Sequence, residues 1–273
     1  MDLVLESPEG LSLSGRKAEA TMFFSDLAGF TSISEKLGAE ELAQLLNRYL
    51  TPMTDIILEE DGYLDKYSGD GIMAVWGVPY PDPDHALKAC RAALRQQDRL
   101  RELAAEIKAE LGIEISVRMG INSGQVSAGN MGSERKMQYT VMGDPVNLAA
   151  RLEPANKDYG TCIILAEETK KRLPETGPPT RLLDKMVVKG KTEPVLIYEL
   201  LPGPIAPLWV PDYEAGLRKL WSRDWDGASE LFQRVLSQVQ DVAAQGMLER
   251  IALYRREAPP PDWDGAHVRK FKD

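Results

Sequence analysis

Histidine and cysteine are scarce in this chain of 273 residues, which has only two of each. Cys90 and Cys162 stand far apart, so they offer neither a disulfide framework nor the spacing of a zinc site, and we expect a reducing, cytoplasmic setting. Because His85 and His267 are the only histidines, histidine-rich metal sites and most histidine-based triads are excluded. The chemistry that remains available is that of carboxylates.

Long apolar runs and an excess of positive charge are also missing. No run approaches the ~20 apolar residues that a membrane-spanning helix needs, and the N-terminus lacks the pattern of a signal peptide. The chain has 33 Lys and Arg against 42 Asp and Glu, a formal net charge of −9. Since a protein that binds duplex nucleic acid usually has a basic face, nucleic acid is not expected as the main partner.

Hydrophobic periodicity divides the chain into three parts. Residues 1–17 are polar without a strong period and are predicted to be a linker, with room for a regulatory sensor domain upstream. Residues 18–201 mix strands and helices without strict alternation, which predicts an α+β domain with an antiparallel sheet. Four prolines between 202 and 211 mark a boundary, and residues 202–273 are predicted to form a small helical extension.

The helical extension is predicted to contain helices over Tyr213–Val239 and Met247–Tyr254. The spacing of Ala228 and Phe232, with Gly216 upstream, has the features of one imperfect tetratricopeptide (TPR-like) hairpin. An unrelated helical cap explains the same pattern equally well, so both interpretations stay open.

Several elements of the central part can be predicted one by one. A buried strand over Ala20–Phe24 ends near Asp26, and a helical stripe from Leu42 to Ile57 contains Pro52, which should kink or interrupt it. The segment 68–71, Ser-Gly-Asp-Gly, predicts the turn of a β-hairpin. A long helix is expected over 82–111, followed by a strand, a turn and a second strand over 114–132.

Two aspartates are the strongest candidates for chemistry. Asp26 ends a strand and is followed by Gly29 at a helix start, where free backbone N–H groups attract phosphate oxygens. Asp70 lies at the hairpin tip. Each residue alone has an ordinary structural explanation, a helix cap or a turn. Together, two acids on neighbouring strand ends would hold divalent cations, since Mg²⁺ takes one or two carboxylates plus the phosphates of a substrate.

A second candidate pair is Asn147 and Arg151, which are four residues apart and therefore on one helical face. Alone they would be a solvated polar face. Their neighbours Val146, Leu148 and Leu152 are apolar, however, so the helix should be largely buried and the polar pair should need a partner. The Arg135-Lys136 pair is typical of a solvated loop, and the segment 189–192 is typical of an exposed turn, since it lacks the first glycine of a phosphate loop.

Five separated blocks occur in one order. They are Phe24-Ser25-Asp26-Leu27-Ala28-Gly29-Phe30-Thr31, Gly69-Asp70-Gly71, Gln138-Tyr139-Thr140, Val146-Asn147-Leu148-Ala149-Ala150-Arg151 and Val188-Lys189-Gly190-Lys191. Their order and content resemble the catalytic domain of class III nucleotidyl cyclases, over roughly residues 16–200. The resemblance implies a ferredoxin-like core with an antiparallel sheet, active as a head-to-tail homodimer whose sites lie at the interface.

The resemblance also assigns roles to residues. It implies that two divalent cations, Mg²⁺ or Mn²⁺, are held by Asp26, Asp70 and the backbone carbonyl of Leu27. It implies that Asn147 orients the ribose and Arg151 stabilises the transition state, from the chain opposite to the aspartates. The remaining substrate contacts fall to Arg135 and Lys189 on the triphosphate and to the helix start at Gly29, Phe30 and Thr31.

The choice of base rests on Lys66 and Thr140. Lys66 matches the purine-reading lysine of the family, and Thr140 stands where many adenylyl cyclases have aspartate. A Lys/Thr pair resembles the adenylyl subset that includes bicarbonate-responsive soluble cyclases, since lysine can donate to the adenine ring and threonine can accept from its amino group. The expected activity is conversion of ATP to 3′,5′-cyclic AMP and pyrophosphate. The alternatives are a guanylyl cyclase, a silent nucleotide-binding regulatory module, and an interaction scaffold formed by the C-terminal helices.

Overall fold

The computed structural model describes residues 15–133, 135–188 and 193–268. The strands are β1 (Arg16–Leu27), β2 (Tyr63–Ser68), β3 (Gly71–Trp76), β4 (Val117–Ser133), β5 (Lys136–Met142), β6 (Ile163–Ala166), β7 (Thr180–Val187), β8 (Val195–Leu200) and β9 (His267–Val268). The helices are α1 (Phe30–Ser34), α2 (Ala39–Glu59), α3 (His85–Leu111), α4 (Asp144–Tyr159), α5 (Glu167–Lys171), α6 (Val210–Trp221), α7 (Trp225–Leu236) and α8 (Val242–Arg256).

The strands of this part of the chain form a single sheet around a ferredoxin-like core. Their order is β2-β3-β1-β4-β6-β8-β7-β9, and β5 pairs with β4 outside this path. The sequence β1–α2–β2–β3–α3–β4 places four strands in the order β2-β3-β1-β4 with antiparallel pairing throughout. The predicted α+β class and ferredoxin-like core are therefore confirmed, with two parallel pairs, β4–β6 and β7–β9, added farther along the sheet.

The two faces of the sheet are covered by different helices because strand side chains alternate between faces. On β1, Phe23 and Leu27 point into a core filled by α2 and α3. Ala20 and Met22 point to the other face, where they pack with residues of β4, β5 and α4. The helix α4 approaches β4 closely at Gly120, where an added Cβ would lie 2.5 Å from the carbonyl oxygen of Ala149. A residue without a side chain is therefore required at this position for α4 to lie where it does.

The C-terminal helices α6–α8 share a core with the sheet. Their buried apolar side chains pack with those of β7, β8 and α4, among them Leu148, Leu152, Leu183, Met186, Ile197, Tyr213, Leu217, Phe232 and Met247. A buried ion pair joins Arg250 of α8 to Asp184 of β7 at 2.8 Å, and the same carboxylate oxygen accepts a hydrogen bond of 2.8 Å from the Tyr159 hydroxyl at the end of α4. The predicted helical extension is thus confirmed as helical, and it continues the core of the domain.

The boundaries of two predicted segments are corrected. Arg16 and Lys17 belong to β1 and not to a linker, since they pair with Ala128 and Ser127 of β4 although their side chains are exposed. The predicted helix over Tyr213–Val239 is divided at residues 222–224, where Arg223 has a positive φ of 65° and Asp224 caps α7. The TPR-like interpretation stays a prediction.

The turn predicted within 114–132 is wrong, because β4 runs unbroken through Asn122, Ser123 and Gly124. These turn-forming residue types are accommodated by a buried polar layer. The Ser123 hydroxyl contacts the hydroxyls of Thr21 at 2.7 Å and Thr169 at 3.0 Å. The Thr21 hydroxyl also contacts His85 Nδ1 at 2.6 Å, and burial, assisted by the positive charge of Arg172, lowers the pKa of His85.

The interruption predicted at Pro52 is also not found, since α2 continues through it to Glu59. The buried stripe of α2, with Leu45, Tyr49, Met53 and Ile57, packs in the core on both sides of the proline. Next to it, the carbonyl of Met53 accepts a hydrogen bond from Gln96 of α3 at 2.9 Å. Tertiary packing thus outweighs the local cost of proline in a helix.

Candidate active site

Asp26 and Asp70 meet because β1 and β3 are neighbours in the sheet. Asp26 is the penultimate residue of β1, and Asp70 lies in the tight turn that precedes β3, whose Ile72 pairs with Ser25. The Asp70 side chain is buried, and its Oδ2 accepts a hydrogen bond of 3.0 Å from the backbone N–H of Leu27. The two carboxyl groups are close enough for Asp70 to raise the pKa of Asp26. The predicted acidic pair is therefore present in one chain.

The electrostatics of the pair favour a cation. Burial, the contact with Asp70 and the charge of Glu153 raise the pKa of Asp26 to about 7, against the opposing effect of Arg118. The repulsion between two ionised carboxylates this close adds to the effect of burial on the pKa of Asp26. A divalent cation would remove that repulsion, and hard carboxylate oxygens are the ligands that Mg²⁺ prefers.

The ligands that the protein offers are those expected of a metal site in which the substrate supplies the remaining ligands. Among the described residues, no group of three or more His, Cys, Asp or Glu side chains is arranged to hold a metal ion. Two carboxylates and the backbone at Leu27 are what the protein provides at the end of β1. Such a set fits a divalent cation that also binds phosphate oxygens.

An arginine that the sequence analysis did not single out lies beside the acidic pair. Arg118 of β4 pairs with Asp26 across the sheet, and its Nη2 is 3.9 Å from Asp26 Oδ2. Its Nε is 2.8 Å from a carboxylate oxygen of Glu153 on α4. The signal available in the sequence was a charged residue inside an otherwise apolar strand, Val117 to Ile121.

Lys66 and Thr140 converge on a third carboxylate, that of Asp65. The Asp65 side chain is fully buried, and its Oδ1 lies 3.2 Å from the ammonium group of Lys66. Its Oδ2 accepts a short hydrogen bond from the Thr140 hydroxyl, which links β2 to β5. The two predicted base-reading residues are thus brought together, and Asp65 is a residue that sequence reasoning missed.

Asn147 and Arg151 lie on one face of α4, as predicted. Asn147 is exposed and Arg151 is half-buried, while the opposite face of the helix, with Leu148, Leu152 and Ala155, is buried. Within the described part of the chain, neither side chain makes a hydrogen bond or an ion pair. No hydrogen bond or ion pair of the described residues therefore joins this pair to Asp26 or Asp70.

A short helix, α1, begins directly after Gly29, as predicted. Gly29 precedes α1 with a φ of 74°, a left-handed conformation that favours glycine. Phe30 is half-buried against the core and Thr31 is exposed. Thr31 is therefore free to face solvent at this edge of the sheet.

Arg135, one of the two residues assigned to the triphosphate, is not part of this cluster. Arg135 is exposed in the turn between β4 and β5, whereas Arg118, beside Asp26, lies at the opposite end of the 17-residue strand β4. Lys189 lies outside the described residues. No helix in the described ranges is long and apolar enough to cross a membrane.

Comparisons with known proteins place the chain in a family. The family model "Adenylate and Guanylate cyclase catalytic domain" matches residues 13–201. Adenylate cyclase 1 of Rhizobium meliloti is 34% identical over 203 residues, which cover 73% of this chain and 30% of that protein. An adenylate cyclase of Anabaena cylindrica is 38% identical over 187 residues, covering 66% of this chain and 36% of the relative. The chain thus matches about a third of the length of each.

Solved structures agree with the family match in sequence and in fold. The adenylyl cyclase CyaB from P. aeruginosa has a TM-score of 0.66 at 33% identity, covering 71% of this chain and all of that one. The guanylyl cyclase Cya2 has a TM-score of 0.63 at 33% identity, covering 71% of this chain and 97% of that one. Both kinds of cyclase are thus equally similar by identity. With the acidic pair in place and most of its length matched, the chain belongs to the adenylate and guanylate cyclase catalytic domain family.

Proposed function

We propose that this chain is an adenylyl cyclase, which converts ATP to 3′,5′-cyclic AMP and pyrophosphate at two equivalent sites of a head-to-tail homodimer. The observation that carries the proposal is the pair of neighbouring carboxylates, Asp26 and Asp70, in a chain whose Asn147 and Arg151 make no hydrogen bond or ion pair among the described residues. A two-fold dimer would let each chain supply one half of each site.

Asp26, Asp70 and the backbone carbonyl of Leu27 would hold two divalent cations, Mg²⁺ or Mn²⁺. When bound, such cations lower the pKa of a hydroxyl nucleophile and neutralise charge on a triphosphate. The raised pKa of Asp26 supports this role, because a buried acidic pair gains most from a cation. Arg118 adds positive charge next to Asp26 and is available to a phosphate group there.

Asn147 and Arg151 of the partner chain would act on the reacting end of ATP. The Asn147 amide can hold the ribose so that its 3′-oxygen faces the α-phosphorus in line with the leaving pyrophosphate. The Arg151 guanidinium donates hydrogen bonds to the charge that develops on the transferring phosphoryl group. Arg135, Lys189 and the helix start at residues 29–31 remain the proposed contacts for the triphosphate.

ATP is proposed as the substrate in preference to GTP because of Lys66 and Thr140. A lysine donor suits the adenine ring nitrogen, whereas the guanine ring carries a hydrogen there. We further propose a cytoplasmic setting, in accord with ATP as substrate and with two free cysteines. A regulatory domain upstream of this chain stays a prediction.

The test is a cyclase assay on the purified protein with ATP and GTP, each with Mg²⁺ and with Mn²⁺, over a range of protein concentrations. We expect cyclic AMP to form, with specific activity rising as the dimer assembles. Arg151→Ala should lower kcat by about 10³–10⁵ with little change in ATP binding. Formation of cyclic GTP in preference to cyclic AMP would favour the guanylyl alternative, and absence of both products would favour a silent regulatory module.

A further inference from the structure

We infer that Asp65 is a positioning residue that makes Thr140 a pure hydrogen-bond acceptor and thereby selects the 6-amino group of adenine. The inference rests on the proposed use of ATP and deepens it, since it concerns how the base is read. Asp65 itself is buried and does not touch the base.

The conformation of β2 explains how Asp65 reaches β5. The pairing of β2 with β3 shifts between Leu64, which opposes Ala74, and Lys66, which opposes Met73. Asp65 is the extra residue of this β-bulge and has no partner in the ladder. A bulge re-aims a side chain that a regular strand would direct elsewhere. Here the side chain is directed towards β5, where it accepts hydrogen bonds from Thr140 and, at 3.4 Å, from Gln138.

The contacts of Asp65 fix the hydrogen of the Thr140 hydroxyl. A threonine hydroxyl has one hydrogen to donate and two lone pairs to accept with. A carboxylate can only accept, so the hydrogen bond between Thr140 Oγ1 and Asp65 Oδ2 must use the hydroxyl hydrogen. The lone pairs that remain on Oγ1 can accept from an amino group but cannot donate to a carbonyl group. Donation to an ionised acceptor also strengthens this arrangement.

The same carboxylate organises the lysine. Asp65 Oδ1 lies 3.2 Å from the ammonium group of Lys66, which is 44% exposed and has further hydrogens to donate. A donor from Lys66 and an acceptor from Thr140 are complementary to the ring nitrogen and the amino group along one edge of adenine. The buried carboxylate thus explains how a threonine can stand where an aspartate acceptor is common.

The test compares three triphosphates as substrates. Purine ribonucleoside triphosphate differs from ATP only in lacking the 6-amino group, and ITP carries a 6-oxo group. We expect the wild type to prefer ATP to the unsubstituted purine in kcat/KM. In Asp65→Ala this preference should fall by about tenfold, because the acceptor is no longer fixed. The kcat/KM for ITP should rise relative to that for the unsubstituted purine, because the freed hydroxyl of Thr140 can donate to the oxo group.

Two further variants separate positioning from folding. Gln138→Ala removes a hydrogen bond of 2.6 Å to the backbone carbonyl of Asp65 and a longer one of 3.4 Å to its Oδ1. It leaves the contact between Thr140 and Asp65 Oδ2 in place, so kcat/KM should change alike for all three substrates. Thr140→Val should lower the preference for ATP without the gain for ITP. The double variant with Thr140→Val and Asp65→Ala should show the same preference as Thr140→Val alone, because both changes act through one hydroxyl group. Melting temperatures of all variants would show that each is folded.

The outcomes are distinct from those of the proposed function. If the wild type forms no cyclic nucleotide from any substrate, the proposed function fails. If the wild type turns over ATP but Asp65→Ala lowers kcat/KM for all three substrates alike, the inference about Asp65 is overturned while the proposed function stands. A wild type that uses ATP and the unsubstituted purine equally well would also overturn it, even if Asp65→Ala did not fold.

Discussion

The division of each site between two chains can be tested by mixing two inactive variants. Asp26→Ala removes a carboxylate of the acidic pair, and Arg151→Ala removes the guanidinium of α4. Neither change should unfold its own chain. Arg151 makes no hydrogen bond or ion pair within the described residues, and the buried Asp70 keeps its hydrogen bond to the Leu27 backbone when Asp26 is lost.

The expected recovery follows from two-fold symmetry. In a mixed dimer, one site receives the intact aspartates of one chain and the intact Arg151 of the other, and the second site receives both defects. Random exchange at equal concentrations makes half of the dimers mixed, and each of these has one working site of two. The mixture should therefore regain about 25% of the wild-type activity per total protein, although each variant alone falls by about 10³-fold or more.

The assay is cyclic AMP formation after the two proteins have been incubated together long enough to exchange chains. A matched control mixes Asp26→Ala with Asp70→Ala. Both substitutions affect the same half of the site, so no mixed dimer has an intact site and no recovery is expected. The shared-site arrangement would be refuted if the control recovered as much activity as the test mixture. It would also be refuted if neither mixture recovered activity although light scattering of tagged chains showed that the chains had exchanged.

Three further predictions concern the framework around the site. Gly120→Ala should lower both the melting temperature and kcat, because its Cβ would meet the backbone of α4, whereas Gly124→Ala meets only a proline side chain and should have a smaller effect on both. Arg250→Met should lower the free energy of unfolding, measured by urea titration, by about 3 kcal/mol, since it leaves the buried Asp184 without its cation. A loss below about 1 kcal/mol would contradict this assignment. Asp184→Asn in the same chain should restore part of the loss. The lowered pKa of His85 means that the unfolded chain binds the proton more tightly than the folded chain does. This residue therefore contributes stability above its unfolded pKa of ~6.5, and that stability is lost as the pH falls below this value. The melting temperature of wild type should therefore fall more steeply between pH 7 and pH 5 than that of His85→Gln, and parallel curves would reject the assignment.

The sequence was sufficient to find those parts of the site that depend on local structure. Asp26 and Asp70 stand where an apolar run stops and where a tight turn is encoded, so their meeting followed from two neighbouring strand ends. Asn147 and Arg151 were found because four residues make one helical turn. In each case the signal was a spacing within one element or between adjacent ones.

The residues that were missed depend on contacts between distant segments. Asp65 lies next to Lys66, and a regular strand would turn the two side chains to opposite faces. The bulge in β2 lets the Asp65 carboxylate contact both Lys66 and Thr140, and nothing in the sequence marks that bulge. The turn predicted within 114–132 was wrong for the same reason, since the partners of Asn122 and Ser123 in β4 are Pro145, Thr21 and Thr169 from other parts of the chain.

The C-terminal helices bear on the choice between catalyst and scaffold. Prolines suggested a boundary after residue 201, and deletion of residues 204–273 would be the obvious way to separate the two roles. In the structure, however, Tyr213, Leu217 and Phe232 fill a core with β7, β8 and the buried face of α4. Deletion would expose that core, so loss of activity would report on folding as much as on catalysis.

A point change in the ion pair is the sharper test of what the helices contribute. Tyr159, the last residue of α4, donates a hydrogen bond from its hydroxyl to the Asp184 carboxylate, and Arg250 of α8 forms an ion pair with the same carboxylate. The helix that presents Arg151 is therefore held at its far end by the extension. If the helices serve only as a binding scaffold, Arg250→Met at a temperature well below its melting point should leave kcat unchanged. If they also position α4, kcat should fall while the KM for ATP stays the same, because Arg151 acts on the transition state.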